Sequence, residues 1–239
     1  MPINTCKKIL FIHIPKCSGS YITKLFNLYN EILYTSSPQS DCKILGRTLQ
    51  HYPISYITDI VNTYNIMNIK KENIDLSKYY IFTIVRNPYT RFISAYNQYP
   101  NKCNKKYKDM IKNRSIIEFA EFLKTTIEKE GRNFFKYGAY HQFQPMTDYI
   151  DNHKNVNIKI NIIKIDDNLY EDNIIRLSNM YDINYNGEKI NTSSVDNPDY
   201  NYYLNNKTFI NCINYIYKDD FLMFDYEMFN GNTDVQLLK

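Results

Sequence analysis

Tryptophan is absent from this 239-residue chain, and glycine (six) and proline (eight) are scarce. So few chain breakers exclude a linker-rich or disordered polypeptide, and a hydrophobic content of 44% is that of a globular protein. The five cysteines, Cys6, Cys17, Cys42, Cys103 and Cys212, are odd in number and widely scattered, with no C-x-x-C pair. This spacing excludes a disulfide framework or zinc module and fits a reducing compartment. No run of about 18 apolar residues occurs, and Met1-Pro2-Ile3-Asn4-Thr5-Cys6 has no apolar signal core. A cytoplasmic protein without membrane association is therefore expected. A net charge of +4 suits an anionic ligand but lacks the dense basic stripe of a nucleic-acid binder. The abundance of Asn, Ile, Lys and Tyr reads as an AT-rich coding sequence. Length predicts a single domain over residues 1–239 and leaves the oligomeric state open.

What is present is organised around residues 7–29. Residues 9–14 form a nearly all-apolar run, the pattern of a strand covered on both faces. Ser20 opens a segment with Ile22, Leu25, Phe26 and Tyr29 on one helical face. Between them Pro15-Lys16-Cys17-Ser18-Gly19 has room only for a sharp turn. A strand–loop–helix of this kind aims free backbone N–H groups and the positive helix end at the loop, so an anion is the natural occupant, with Lys16 as counter-charge. The same spacing also fits a plain strand-to-helix turn with a solvated lysine. It is not a nucleoside-triphosphate loop, which needs G-x-x-x-x-G-K-[ST].

A second apolar run, residues 79–85, ends on Arg86-Asn87-Pro88. Asn87 is a good helix cap and Pro88 a good first helical residue, so a helix is expected to carry Phe92, Ile93, Ala95 and Tyr96. Ser115-Ile116-Ile117-Glu118 reads as a capping box, heading a helix with Ile116, Ala120, Leu123 and Ile127 inward and Gly131 at its end. A short strand over 44–49, a weak helical pattern over 54–78, a strand over 156–165 and helices near 170–180 and 203–218 complete the reading. Residues 134–149 and 184–201 read as loops. Strands alternating with helices predict an α/β three-layer fold with a central, mainly parallel sheet flanked by helices. In such sheets ligands lie beyond the carboxyl ends of the strands, where Lys16 and Arg86 both fall.

Two stretches carry a family resemblance. Phe11-Ile12-His13-Ile14-Pro15-Lys16-Cys17-Ser18-Gly19-Ser20 resembles the 5′-phosphosulfate loop, H-I-P-K-T-[AG]-G-[ST]-[ST], of sulfotransferases that include heparan sulfate 2-O- and 6-O-sulfotransferases and bacterial carbohydrate sulfotransferases. Cys17 replaces the usual Thr and Ser18 the usual small residue. Tyr80-Ile81-Phe82-Thr83-Ile84-Val85-Arg86-Asn87-Pro88-Tyr89-Thr90-Arg91-Phe92-Ile93-Ser94-Ala95-Tyr96 resembles the same family's 3′-phosphate element. The resemblance implies a P-loop-like fold and 3′-phosphoadenosine 5′-phosphosulfate (PAPS) as donor, with no metal required. Its 5′ end would meet Lys16, Cys17, Ser18, Gly19, Ser20 and Tyr21, and its 3′-phosphate Arg86 and Ser94. It implies sulfuryl transfer to an acceptor hydroxyl, of a glycan by analogy, with Lys16 stabilising the leaving phosphate. Arg91 is as readily a structural partner as a ligand contact.

Transfer to a hydroxyl needs a base. Among four histidines, His51 in Leu49-Gln50-His51-Tyr52-Pro53 falls where the resembling 2-O-sulfotransferases carry their basic histidine, although Gln50 replaces a glycine. Asp41 and Glu31 are carboxylate alternatives, and His13, within the loop motif, reads as structural. Gln142-Phe143-Gln144-Pro145-Met146-Thr147-Asp148-Tyr149 resembles the family's acceptor-shaping H-x-x-P-Q-x-x-[FY] region, with Met146 in place of Gln. Weaker echoes lie at Asp166-Asp167-Asn168-Leu169, Asn191-Thr192-Ser193-Ser194 and residues 221–226. A small-molecule kinase and a non-catalytic nucleotide-binding protein of the same fold are the rival readings.

Overall fold

Ile9–Ile12 is a strand whose four residues are all fully buried, as its unbroken apolar run requires. Around it a computed structural model describes residues 3–28, 51–56, 75–102, 111, 113–136, 138–150, 158–185, 187 and 198–230. The expected strand over 44–49, the middle of the weak helical pattern, Asp41, Glu31 and Asn191–Ser194 lie outside these residues. The chain forms two compact units, Met1–Val85 with Met146–Asn191, and Arg86–Pro145 with Thr192–Lys239.

The first unit holds a four-stranded sheet, β1 (Ile3–Asn4), β2 (Ile9–Ile12), β3 (Tyr80–Val85) and β4 (Ile160–Lys164), in that order. β1 is antiparallel to β2, whereas the β2–β3 and β3–β4 pairs are parallel. The expected mixed α/β architecture with a mainly parallel sheet is observed. Phe11 pairs with Phe82 and Ile12 with Thr83, so β2 and β3 point their carboxyl ends to one edge. The Thr83 hydroxyl donates to the Ile12 carbonyl at 2.9 Å and fastens that edge. Of the strand expected over 156–165, residues 156–157 lie outside the described residues and Ile160–Lys164 is strand.

Helix α1 (Gly19–Leu25) follows β2 and buries Tyr21, Ile22 and Thr23. It stops earlier than the 3.6-residue pattern implied because Asn27 turns left-handed, φ 50°; Phe26 is still buried, Leu25 only partly.

In the second unit Asn87 caps α2 (Pro88–Lys102): its side-chain oxygen accepts from the Tyr89 N–H at 3.0 Å and its carbonyl from the Arg91 N–H at 2.9 Å. The capping box of α3 (Ile116–Glu130) is closed in both directions, and Gly131 ends the helix at φ 73°. The expected inward residues are buried, joined by Phe119.

Between these, 3-10 turns span Arg132–Lys136 and Gly138–Phe143, where a plain loop was expected. Thr147–Ile150 (α4) and Tyr170–Met180 (α5) belong to the first unit. The helix expected over 203–218 is found as α7 (Lys207–Ile216), preceded by α6 (Pro198–Leu204), which starts inside the expected loop 184–201, and followed by α8 (Lys218–Phe224). The side chain of Asn206 accepts from the Phe209 N–H at 2.9 Å and starts a new helix there; α8 ends at left-handed Asp225. Phe92 meets Phe119, Phe143 and Phe209 with ring centres 5.3–6.2 Å apart at the heart of this unit. Each such buried ring contributes roughly 1.5–3 kcal/mol of transfer free energy.

Candidate active site

β2 ends where Ile14 N–H turns back onto the Ile12 carbonyl at 3.1 Å, and the chain enters the loop. Lys16 (φ 69°) and Ser18 (φ 59°) are left-handed without being glycine, while Cys17 between them is not. Such residues cost about 1–3 kcal/mol each and persist where the surroundings enforce them. Alternation of this kind turns successive backbone N–H groups into one concavity, an anion-binding nest. Ser18 stands at the start of α1 but its hydroxyl makes no capping bond, so the helix does not consume it.

The side chains around the nest have separate tasks. Lys16 is partly buried and Ser20 exposed. Cys17 is fully buried, its sulfur 3.7 Å from both the Pro15 carbonyl and the Met146 sulfur, so its side chain belongs to the interior. Gly19 has no room for a side chain: a β-carbon there would sit 1.7 Å from Nε2 of His13. Tyr170, at the start of α5, lies beside Ser18, and burial pushes its phenol up to about 12. Burial and then Tyr185 also raise the Tyr21 phenol, and Tyr185 donates to Glu171 at 2.8 Å. All three phenols stay protonated at neutral pH. This cluster was not legible in the sequence; only the aromatic residue heading α5 hinted at it.

His51 is brought to the same loop. Its Nδ1 is 3.2 Å from the carbonyl oxygen of His13, and the two imidazoles are 4.5 Å apart, edge to face. A carbonyl only accepts, so this contact calls for a proton on Nδ1 of His51.

Arg86 and Ser94 belong to the second unit. Arg86 spends Nε on the Thr90 hydroxyl at 3.1 Å, and Thr90 in turn donates to the Asn87 carbonyl. Its two terminal nitrogens make no hydrogen bond among the described residues, leaving the planar fork that suits a phosphate. Ser94 is buried on α2, six residues and about 9 Å of helical rise beyond Pro88.

Arg91 is structural. It is 1% exposed, donates to the Gln142 and Gln144 carbonyls at 3.2 and 2.8 Å, and lies over the Tyr217 ring. The Tyr217 hydroxyl donates to the intervening Phe143 carbonyl at 2.8 Å. A buried cation and a phenol thus seat three successive carbonyls of one segment. Among the described residues no group of three or more His, Cys, Asp and Glu is arranged to hold a metal, and no helix is long and apolar enough to cross a membrane.

A left-handed turn with a lysine in it and a histidine beside it thus stands at the carboxyl end of a parallel strand in an α/β fold. Residues 2–227 match the sulfotransferase family, and the chain belongs to it. Family membership makes it a transferase fold for sulfuryl groups. No curated protein and no solved structure is significantly similar to it.

Proposed function

We propose that the protein transfers the sulfuryl group of PAPS to an acceptor hydroxyl, with a carbohydrate as the acceptor class. The nest at Lys16–Ser18 supports this reading most directly, because it offers backbone donors and a cation to a 5′-phosphosulfate. In the proposed reaction the backbone of Cys17, Ser18, Gly19, Ser20 and Tyr21 orients the 5′ end, while Arg86 and Ser94 hold the 3′-phosphate. Nε2 of His51 takes the proton of the attacking hydroxyl, the new O–S bond forms in line, and the bond to the 5′-phosphate oxygen breaks. Lys16 and the loop amides stabilise the charge that collects on that oxygen. No step requires a metal, and the chemistry is positioning plus charge stabilisation, as in phosphoryl transfer.

The donor product, 3′-phosphoadenosine 5′-phosphate (PAP), is the direct probe. At a hundredfold excess over Kd it should stabilise the fold by about 2.7 kcal/mol. Lys16→Ala and Arg86→Ala should each shrink that response, and His51→Ala should bind PAP normally without turning over radiolabelled PAPS on an acceptor panel. Absence of any shift at millimolar PAP would overturn the donor assignment; an active His51→Ala protein would move the base elsewhere.

A further inference from the structure

His13 is 7% exposed and has three neighbours that matter. Its ring stacks on Phe11 at 5.5 Å, meets His51 at 4.5 Å, and fills the space where a side chain on Gly19 would stand. Its carbonyl holds Nδ1 of His51 at 3.2 Å. One residue therefore touches the first turn of the helix that closes the nest and fixes both the tautomer and the tilt of the neighbouring imidazole. We infer that His13 is a positioning residue that couples occupancy of the 15–20 loop to the orientation of His51.

The coupling follows from packing. Close-packed interiors transmit small displacements because there is no void to absorb them. A ligand drawn onto the loop amides pulls the start of α1, and Gly19 cannot shift toward His13 without moving its ring. That ring is backed by Phe11, itself fully buried against Phe82 at 5.0 Å, so the displacement goes to His51. The base is thus aligned when the donor is seated. The inference rests on the donor and base assignments proposed above.

Histidine ¹⁵N–¹H spectra test it, with the four histidines assigned by single substitution. In the ligand-free protein His51 should show a protonated Nδ1 and a bare Nε2. PAP should shift the His13 and His51 ring signals together. His13→Leu should still bind PAP but lose the His51 response, whereas His13→Phe, which keeps a flat ring against Gly19, should retain it. Transfer by His13→Leu should be about 10²-fold slower, the cost of misplacing a reacting group by about 1 Å.

A His13→Leu protein with the wild-type His51 response overturns the coupling. So does a wild-type protein that binds PAP with His51 unmoved, a result available even if the leucine variant does not fold. Failure of the wild type to bind PAP at all sinks the donor assignment, and the coupling falls with it.

Discussion

Cys17 and Met146 depart from the pattern of the resembling sulfotransferases, where Thr and Gln are usual, and the structure puts the two side chains against each other. Both are fully buried, with the sulfurs 3.7 Å apart. Restoring one partner at a time should therefore cost more than restoring both. Met146→Gln alone keeps the unbranched shape but buries an amide against a thiol, a weak hydrogen-bonding partner. Leaving such a group poorly satisfied costs about 1–3 kcal/mol. Cys17→Thr alone exchanges the thiol for a hydroxyl and adds one methyl, and the Pro15 carbonyl, 3.7 Å from the present sulfur, offers that hydroxyl an acceptor, so its cost should be smaller.

In the double variant the threonine hydroxyl faces the glutamine amide, and a hydrogen bond worth about 1 kcal/mol replaces the sulfur contact. Urea denaturation of the wild type, both single variants and the double variant gives the coupling. A favourable interaction of about 1 kcal/mol is expected, inside the 0.5–3 kcal/mol range for residues in contact. Single costs that simply add, to within about 0.5 kcal/mol, would refute the idea that the two departures compensate each other.

Gly19→Ala should destabilise by about 1–3 kcal/mol of overpacking against His13, offset by up to about 1 kcal/mol of helix propensity; thermal melts check it, and a variant more stable than wild type would contradict the contact. Arg91→Met should unfold more readily, because the carbonyls of Gln142 and Gln144 lose a buried donor, while PAP binding per folded molecule stays as in the wild type; a binding defect in folded Arg91→Met would make Arg91 a ligand contact. The phenols of Tyr89 and Tyr170, both pushed up to about 12 by burial, should titrate late in an alkaline absorbance titration. Their folded-state values lie above the unfolded value near 10, so the stability they contribute is complete below about pH 10 and is lost as pH rises through 12; ionisation of all tyrosines near pH 10 in the folded protein would contradict their burial.

The legible parts of this molecule are those written within a few residues of sequence. The strand–loop–helix of residues 9–25, the Asn87-Pro88 start of α2 and the Ser115–Glu118 box are each signalled by patterns a few residues long, and each is found where the pattern puts it. The expected helix over 203–218 runs across the break between α6 and α7 because apolar periodicity runs through Asn206, whose capping bond interrupts the helix without interrupting the pattern. Long-range tasks left no local trace. Nothing near Arg91 in sequence tells that its guanidinium turns inward to carbonyls some 50 positions away, at separations of 51 and 53.

The two arginines of the Arg86–Arg91 motif illustrate why a motif can be recognised before its parts can be assigned. Arg86 follows directly on the last residue of β3, and Arg91 stands one turn into α2. A charge at a strand end can face solvent, and Arg86 does so in part, keeping its terminal nitrogens unspent among the described residues. A charge buried on a helix must be met by acceptors, because an uncompensated buried cation is costly and guanidinium does not deprotonate. Arg91 is met by carbonyls of the segment that runs into Pro145, so its substitution should act on the fold of that segment rather than on donor affinity. The same chemical group five residues apart thus divides into one fork left partly exposed and one committed to the chain, and burial, which sequence does not display, makes the division.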